Sequence, residues 1–191
     1  MTDHARCYIT TAIPYVNARP HLGFALEVVE ADTVARYRRL RGDEVRFQTG
    51  TDDNALKNVQ AAEAEGIPTG QLVDRNAAYF AALREPLNLS FDDFIRTSGN
   101  PQHAAGAARL WELCEAQGDI YRRAYTGLYC VGCEQFYGED ELVDGLCPEH
   151  LRPPELVSEE NHFFRLSRYA EQLREVIASG ELRIVPESRR N

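Results

Sequence analysis

The feature that most constrains the fold of this chain is an alternation of strand-like and helix-like segments through residues 1–117. Three runs of β-branched and apolar residues have the composition of buried strands: 7–13, 44–50 and 91–97. Segments with helical spacing of apolar residues follow them, at 25–40, 55–65, 69–87 and 101–117. Because strands that alternate with helices pair in parallel, the sequence predicts an α/β fold built on a parallel sheet with helices.

Polar residues occur at the turns where the first two predicted strands lead into helices. In an open parallel sheet, ligands bind beyond the carboxyl ends of the strands, where such turns gather. We therefore expect both turns on the same edge of the sheet. The first turn contains Pro14, Tyr15, Asn17, His21 and Gly23, and the second is the GTDD stretch of residues 50–53.

Two of these residues have both a structural and a functional interpretation. A histidine near a turn is commonly a hydrogen-bonded structural residue, but His21 stands at a helix start, where Gly23 would let a ligand approach the backbone. Asp52 is either the N-cap of the next helix or an anion that pairs with a ligand ammonium group. The sequence leaves both alternatives open.

Four potential metal ligands occur as two close pairs. Cys130 and Cys133 form one pair, Cys147 and His150 form the other, and each pair encloses two residues. This spacing is typical of a Cys3His zinc site, and four protein ligands close the tetrahedron, so the role would be structural. A disulfide or unrelated cysteines are the alternatives. Gly132 would give the first turn the backbone freedom that it needs.

The change in sequence pattern around these ligands predicts three parts. Residues 1–117 would form the sheet domain, and residues 118–160, where aromatic residues and turns replace long helices, would be an insertion with a short strand near 121–126. Residues 161–191 would return from the insertion and lead into a closing helix that ends at Gly180.

Charge and cysteine content restrict the possible partners. The chain carries 21 basic and 30 acidic residues, a net charge of −9, which disfavours stand-alone binding to nucleic acid. No apolar stretch approaches the roughly 18 residues of a membrane span, and no secretion leader is recognised, so we expect a cytoplasmic protein. Cys7 and Cys114 have no close partner in the sequence and are expected to be buried thiols.

Five blocks of the sequence together resemble the N-terminal part of the methionyl-tRNA synthetases, a family of class I aminoacyl-tRNA synthetases. They are TTAIPYVNARPHLG, ARYRRLRGDEVRFQTGTD, YCVGCEQFYGEDELVDGLCPEH, ENHFFRLSRY and PESRRN, and the similarity runs from Tyr8 to Asn191. The resemblance implies the first half of a Rossmann catalytic domain followed by a zinc-bearing connective insertion.

The resemblance also implies roles for individual residues. A methionine-type pocket would be formed by Ala12, Ile13, Tyr15 and Asp52, with Asp52 holding the amino group. The ATP site would include Asn17, His21 and Gly23, with His21, the first histidine of the HIGH signature, as the catalytic residue. The zinc ligands would be Cys130, Cys133, Cys147 and His150.

Three departures from the family pattern disfavour activation of an amino acid with ATP by this chain alone. Phe24 stands in place of the second HIGH histidine, whose imidazole donates a hydrogen bond to the nucleotide in the family. Ala55 stands where the family has a glycine, and would be strained if that position needs a positive φ. Lys57 is the only lysine, so the KMSKS loop has no counterpart, and we expect the second Rossmann half and the anticodon-binding helices to be absent.

Three functions are compatible with the sequence. The chain is a fragment or one piece of a split methionine–tRNA ligase, which would bind tRNA only if the missing half were supplied. Alternatively, it is a specialised paralogue that binds methionine or a related amino acid for another pathway. The third alternative is a zinc-stabilised, non-catalytic module that binds a protein partner, or itself, through the open edge of its sheet. Retention of Tyr15, Asp52 and His21 favours amino-acid binding over the third alternative.

Overall fold

The structure, a computed structural model, describes residues 5–190. The chain divides into two compact units between Ala107 and Ala108, and each is described by itself. The predicted boundaries at residues 117 and 160 stay predictions, although a strand, Glu155–Phe164, continues across the second of them.

The first unit is a three-stranded parallel sheet with helices, which confirms the α/β prediction. Its strands pair in the order β1-β2-β3, with Tyr8 opposite Arg46 and Gly50 opposite Ile95. The strands are β1 (Arg6–Thr10), β2 (Glu44–Thr51) and β3 (Asp93–Arg96). The helices are α1 (Leu22–Leu40), α2 (Leu56–Glu65) and α3 (Thr69–Ala82), and α4 (Pro101–Ala116) continues into the second unit.

Several predicted elements of this unit are longer than the observed ones, and β1 and α3 differ most at their C-terminal ends. The first strand ends at Thr10 rather than at residue 13, because the N–H of Ala12 donates to the Glu27 carboxylate at 2.6 Å instead of to a neighbouring strand. Helix α3 ends at Ala82 rather than at residue 87. Pro86 explains this end, since proline lacks an N–H and disfavours helical backbone in the residue before it.

A single hydrophobic core lies between the sheet and the helices of the first unit. Phe24 of α1 packs edge-on against Phe80 of α3, with ring centroids 5.0 Å apart. Phe47, in the middle of β2, is fully buried and makes a similar contact with Phe91 at 6.4 Å. The helices therefore bury their apolar faces on the sheet, while the turns at its carboxyl edge stay accessible.

The second unit is a three-stranded antiparallel sheet with one closing helix. Its strands β4 (Ile120–Cys130), β5 (Gln135–Tyr137) and β6 (Glu155–Phe164) pair in the order β5-β4-β6. Helix α5 (Ala170–Ala178) follows, and Gly180 at φ 79° stands just after its end, as predicted.

Among residues 5–190, no helix is both long and apolar enough to cross a membrane.

The predictions for this unit underestimated its strands. A short strand was expected at 121–126, and residue 161 was expected to lead toward a helix, but β4 and β6 pair continuously from Ile120 opposite Phe164 to Tyr129 opposite Glu155. Burial alternates along the end of β6, where Asn161 and Phe163 are half-buried and their neighbours are exposed. This alternation has the period of a strand with one covered face.

Candidate functional site

The turns after β1 and β2 meet at the carboxyl edge of the parallel sheet, as the sequence predicted. The backbone N–H of Asp52 donates to the carbonyl oxygen of Pro14 at 2.9 Å, and Tyr15 forms an isolated parallel β-bridge with Asp52. The two strands thus continue their pairing into the turns. This pairing places a phenol ring and a carboxylate side by side at the place where α/β sheets bind ligands.

Asp52 uses one carboxylate oxygen to stabilise its own turn. Its Oδ1 accepts hydrogen bonds from the N–H of Asn54 at 3.0 Å and from the hydroxyl of Thr97 at 3.1 Å. Among the described residues, no hydrogen bond ends on Oδ2. The N-cap of α2 is Ala55, with no side-chain capping bond, so the capping alternative for Asp52 is wrong.

Asp53 is the residue of this turn that the sequence analysis missed. Its side chain is fully buried, and its Oδ2 accepts from Arg96 Nε at 3.0 Å and from Ser98 Oγ at 2.6 Å. The hydroxyl of Thr51 donates to its Oδ1 at 3.1 Å. An acidic residue next to Asp52, and an arginine at the end of β3, were the available signals. A buried carboxylate needs such a paired, fully hydrogen-bonded environment, so Asp53 ties β2 to β3 under the turn.

His21 is the N-cap of α1. Its Nδ1 accepts from the N–H of Phe24 at 3.3 Å, which is the structural role that the sequence analysis considered. A neutral imidazole that accepts at Nδ1 carries its proton on Nε2, so this atom remains a donor toward a ligand. Gly23 leaves room for the ring, because a Cβ there would lie 3.0 Å from two imidazole atoms.

The phenyl ring of Phe24 belongs to the hydrophobic core and not to the edge of the sheet. Phe24 is only 5% exposed, and its ring contacts that of Phe80. Ala55, the other departure within the motifs, has φ −142° and ψ 146°, which is ordinary extended backbone, so the expected strain is absent.

The remaining predicted site residues line the same pair of turns. Tyr15 is half-buried, and the ammonium of Lys57 lies 5.2 Å from the centre of its ring. Ala12 and Ile13 are exposed, and Asn17 is exposed beside a small cavity. The first turn therefore carries both exposed apolar and exposed polar groups next to the bridge between Tyr15 and Asp52.

The second unit gathers the two predicted ligand pairs into one cluster. The ligand atoms of Cys130, Cys133, Cys147 and His150 all lie within 4.8 Å of one another. All five cysteines are free thiols, and the Sγ atoms of Cys133 and Cys147 are 3.3 Å apart, well beyond the roughly 2.05 Å of a disulfide. Three thiols and an imidazole are the donor set that Zn²⁺ accepts, so the cluster could hold a metal ion such as zinc.

The two halves of the cluster have the same backbone design. The residue after each pair has a left-handed conformation, Glu134 at φ 53° and Leu151 at φ 51°. Gly132 is required for close approach rather than for a positive φ, because a Cβ there would lie 2.6 Å from the ring of His150. Each chain segment thus turns back sharply and directs both of its ligands to one point.

Ionisation of the thiols is uneven. Burial disfavours the thiolate of Cys147, but the backbone N–H groups of His150 and Glu149 stabilise it and lower its pKa to about 6. The hydroxyl of Tyr137 stabilises the thiolate of Cys133, yet burial and the neighbouring thiols outweigh it and raise that pKa to about 11. The cluster therefore holds a thiolate at neutral pH, and a bound cation would favour loss of the other thiol protons.

The match to a family model agrees with this fold. The model described as "tRNA synthetases class I (M)" matches residues 7–153, more than half of the chain. The matched range includes the parallel sheet from Cys7 onward and the Cys3His cluster, so the fold is that of a class I tRNA synthetase domain. Together with 44–46% identity to methionine–tRNA ligases, this match shows that the chain belongs to the methionyl-tRNA synthetase family.

The relatives match almost the whole length of this chain, but the chain spans only about a third of theirs. The methionine–tRNA ligase of Mycobacterium bovis is 46% identical over 188 residues, covering 96% of this chain and 36% of that protein. The methionine–tRNA ligase of Brucella suis is 44% identical over 189 residues, with the same coverage.

The solved structures confirm the Rossmann-type fold. Mycobacterium tuberculosis methionyl-tRNA synthetase in complex with methionyl-adenylate matches with a TM-score of 0.91 and 44% identity, over 98% of this chain and 37% of that one. The apo form of the same enzyme matches with a TM-score of 0.76 and 41% identity.

Proposed function

We propose that this chain binds methionine, or an amino acid of similar shape, where the turns after β1 and β2 meet. The position of Asp52 carries this proposal. One of its carboxylate oxygens is fixed by Asn54 and Thr97, and the other accepts no hydrogen bond from the described residues. A carboxylate held in this way is preorganised to accept from an ammonium group.

The apolar part of the amino acid would contact the first turn. Ala12, Ile13 and Tyr15 lie within a few residues of the bridge between Tyr15 and Asp52. The similar M. tuberculosis enzyme was solved with methionyl-adenylate, a ligand that contains this amino acid. The family resemblance and the geometry of the turn thus support the same ligand class.

We further propose that a nucleotide can approach the start of α1 but that the chain alone does not activate methionine. The Nε2 donor of His21 and the backbone near Gly23 support nucleotide contact, with Asn17 beside them. The buried ring of Phe24 supplies no second donor. Loss of one donor to a developing charge typically costs about 2.7–4 kcal/mol of transition-state stabilisation.

In the second unit, we propose a structural zinc ion held by Cys130, Cys133, Cys147 and His150. A closed set of four protein ligands leaves no position for a substrate. The bound ion would supply folding free energy, since it would join two sharp turns that are separated by thirteen residues. Free thiols in such a site also favour a reducing compartment such as the cytoplasm.

Titration calorimetry tests the amino-acid site. Methionine and methioninol, which both carry the ammonium group, are expected to bind, whereas N-acetylmethionine is not. Asp52→Asn should weaken methionine binding by about tenfold or more, because an ionic hydrogen bond is lost. Asp93→Asn is the matched control, since Asp93 starts β3 at the opposite edge of the sheet. Unchanged methionine affinity in Asp52→Asn would contradict the proposal.

Pyrophosphate exchange tests the second part. With methionine and ATP, the purified chain should show no exchange above a no-enzyme blank. Robust methionine-dependent exchange by the chain alone would show that Phe24 and the missing lysines are compatible with activation.

A second candidate function, binding of a partner strand, is favoured by the open edge of β1. Among residues 5–190, this strand pairs with β2 alone, and Tyr8 in its middle is 64% exposed. An unpaired strand edge is a template for another chain. Analytical ultracentrifugation decides this point: a concentration-independent monomer that captures no strand-bearing partner would remove the candidate.

A further inference from the structure

A small cavity beside the first turn is not used by the amino-acid site. Its volume is about 270 Å³, below the roughly 300–1,000 Å³ of typical ligand pockets, so it suits a compact group. The first turn contributes Asn17, Ala18 and Arg19. The last residue of α2, Glu65, and the middle and C-terminal half of α3, with Arg75 and Tyr79, contribute the other side.

Arg19 brings an unneutralised positive charge to this cavity. Its guanidinium carbon lies 4.2 Å from the centre of the Tyr79 ring, and its Nη2 donates to the Tyr79 hydroxyl at 3.2 Å. Within residues 5–190, no carboxylate forms a salt bridge with it. The stacking holds the planar group in place and leaves its other N–H donors available.

The rest of the cavity wall is hydrogen-bonded and carries no net charge. Arg75 donates to both oxygens of Glu65, at 2.8 and 2.9 Å, so these two charges cancel. The buried side chain of Asn76 donates to the carbonyl oxygen of Val16 at 2.7 Å and thereby fixes the first turn against α3. The cavity therefore has one net positive charge, which belongs to Arg19.

We propose that Arg19 binds a terminal phosphate of a di- or triphosphate in this cavity. The proposal rests on the proposed function, because the nucleotide would lie along the same turn, where Asn17 lines the cavity and His21 opens α1. A guanidinium group can donate two parallel hydrogen bonds to two oxygens of one phosphate group, a bidentate geometry. Arg19 would thus supply, from the turn, a donor to phosphate that the buried ring of Phe24 does not supply.

Calorimetric titration with inorganic pyrophosphate, ATP and AMP tests this proposal in the full chain. Arg19→Gln should weaken pyrophosphate and ATP binding by about tenfold, while AMP, which lacks terminal phosphates, should be unaffected. The wild-type affinity for pyrophosphate should also fall as the salt concentration rises. Arg19 is exposed, so the variant should melt at the wild-type temperature.

Arg41→Gln is the matched control. Arg41 also lies over a tyrosine ring, 5.7 Å from the centre of Tyr37, and donates to its hydroxyl at 3.1 Å, but it stands at the far end of α1. Equal losses in both variants, no loss in Arg19→Gln, or no pyrophosphate binding by the wild type would each overturn the proposal. Methionine affinity measured in Arg19→Gln separates this failure from failure of the amino-acid site, since it should stay at the wild-type value.

Discussion

The two compact units of this chain are stabilised in different ways. Twelve buried hydrophobic residues form one continuous core in the first unit. In the described part of the second unit, 108–190, the buried residues are only Asp119, Cys130 and Cys147, and two of these are candidate metal ligands. The comparison teaches that a parallel sheet with helices can bury its own apolar surface, whereas a small three-stranded antiparallel sheet needs a cross-link.

Half-buried aromatic rings only partly compensate for the missing core of the second unit. The ring centroid of Tyr125 lies 4.7 Å from that of Phe136 and 6.0 Å from that of Phe163. These ring contacts link all three strands on one face. Asp119, at the start of the unit, is buried and contacts Arg168 and Tyr169. These contacts position the sheet, but the joined turns of the Cys3His cluster would hold its far end.

The largest expected effect is loss of the metal. A chelator, or Cys147→Ser, should remove amide-exchange protection from β4 and β6 and leave protection in β2 and β3, because structural zinc supplies about 10–16 kcal/mol of apparent free energy. Cys114→Ser is the control of the same residue type outside the cluster. If a chelated sample kept full protection in β4, the contrast between the two units would be wrong.

The reverse experiment removes the core of the first unit. Phe47→Ala should lower the free energy of unfolding of that unit by about 3–5 kcal/mol, because Phe47 is fully buried in β2. Denaturant titration followed by amide exchange measures this change. Zinc content per chain should remain at the wild-type value, and a parallel loss of zinc would show that the two units do not stabilise themselves independently.

Phe24→His sharpens the comparison inside the first unit. The substitution recreates the family histidine, but position 24 is buried against Phe80, so the imidazole would lose its hydrogen bonds to water. We expect a loss of about 1–3 kcal/mol in unfolding free energy and no gain in ATP affinity. Tighter ATP binding at unchanged stability would mean that side chain 24 reaches the sheet edge.

The smallest effect concerns pH. Burial disfavours the charge of Asp32, but hydrogen bonds from Ser90 and Arg36 stabilise it, and its pKa lies below the usual 3.8. A lowered folded-state pKa contributes stability above the unfolded pKa, and this contribution is lost as the pH falls through the folded value. Because an uncharged amide oxygen would replace the carboxylate in the hydrogen bonds from Ser90 and Arg36, Asp32→Asn should lower the free energy of unfolding at pH 7 by about 1 kcal/mol. It should also flatten the loss of stability on acidification. An unchanged acid profile in the variant would assign that loss to other carboxyl groups.

Several features of the site followed from the sequence because they depend on spacing along the chain. The two ligand pairs lie on tight turns, so their separation by two residues already predicts convergence on one point. Likewise, the alternation of strands and helices predicts that Tyr15 and Asp52 share one edge, as they do. The length of β6 was missed because aromatic and polar residues mix along it, and only pairing with β4 makes its alternation meaningful.

By itself, the sequence determined the family, the parallel sheet, the meeting of the two turns and the composition of the Cys3His cluster. Tertiary structure alone decided that the ring of Phe24 enters the core, that the buried carboxylate of Asp53 pairs with Arg96, and that Arg19 stacks over Tyr79. The physical reason is the range of the interactions. Periodicity and ligand spacing act between neighbours in the chain, whereas these contacts join residues tens of positions apart that only packing brings together.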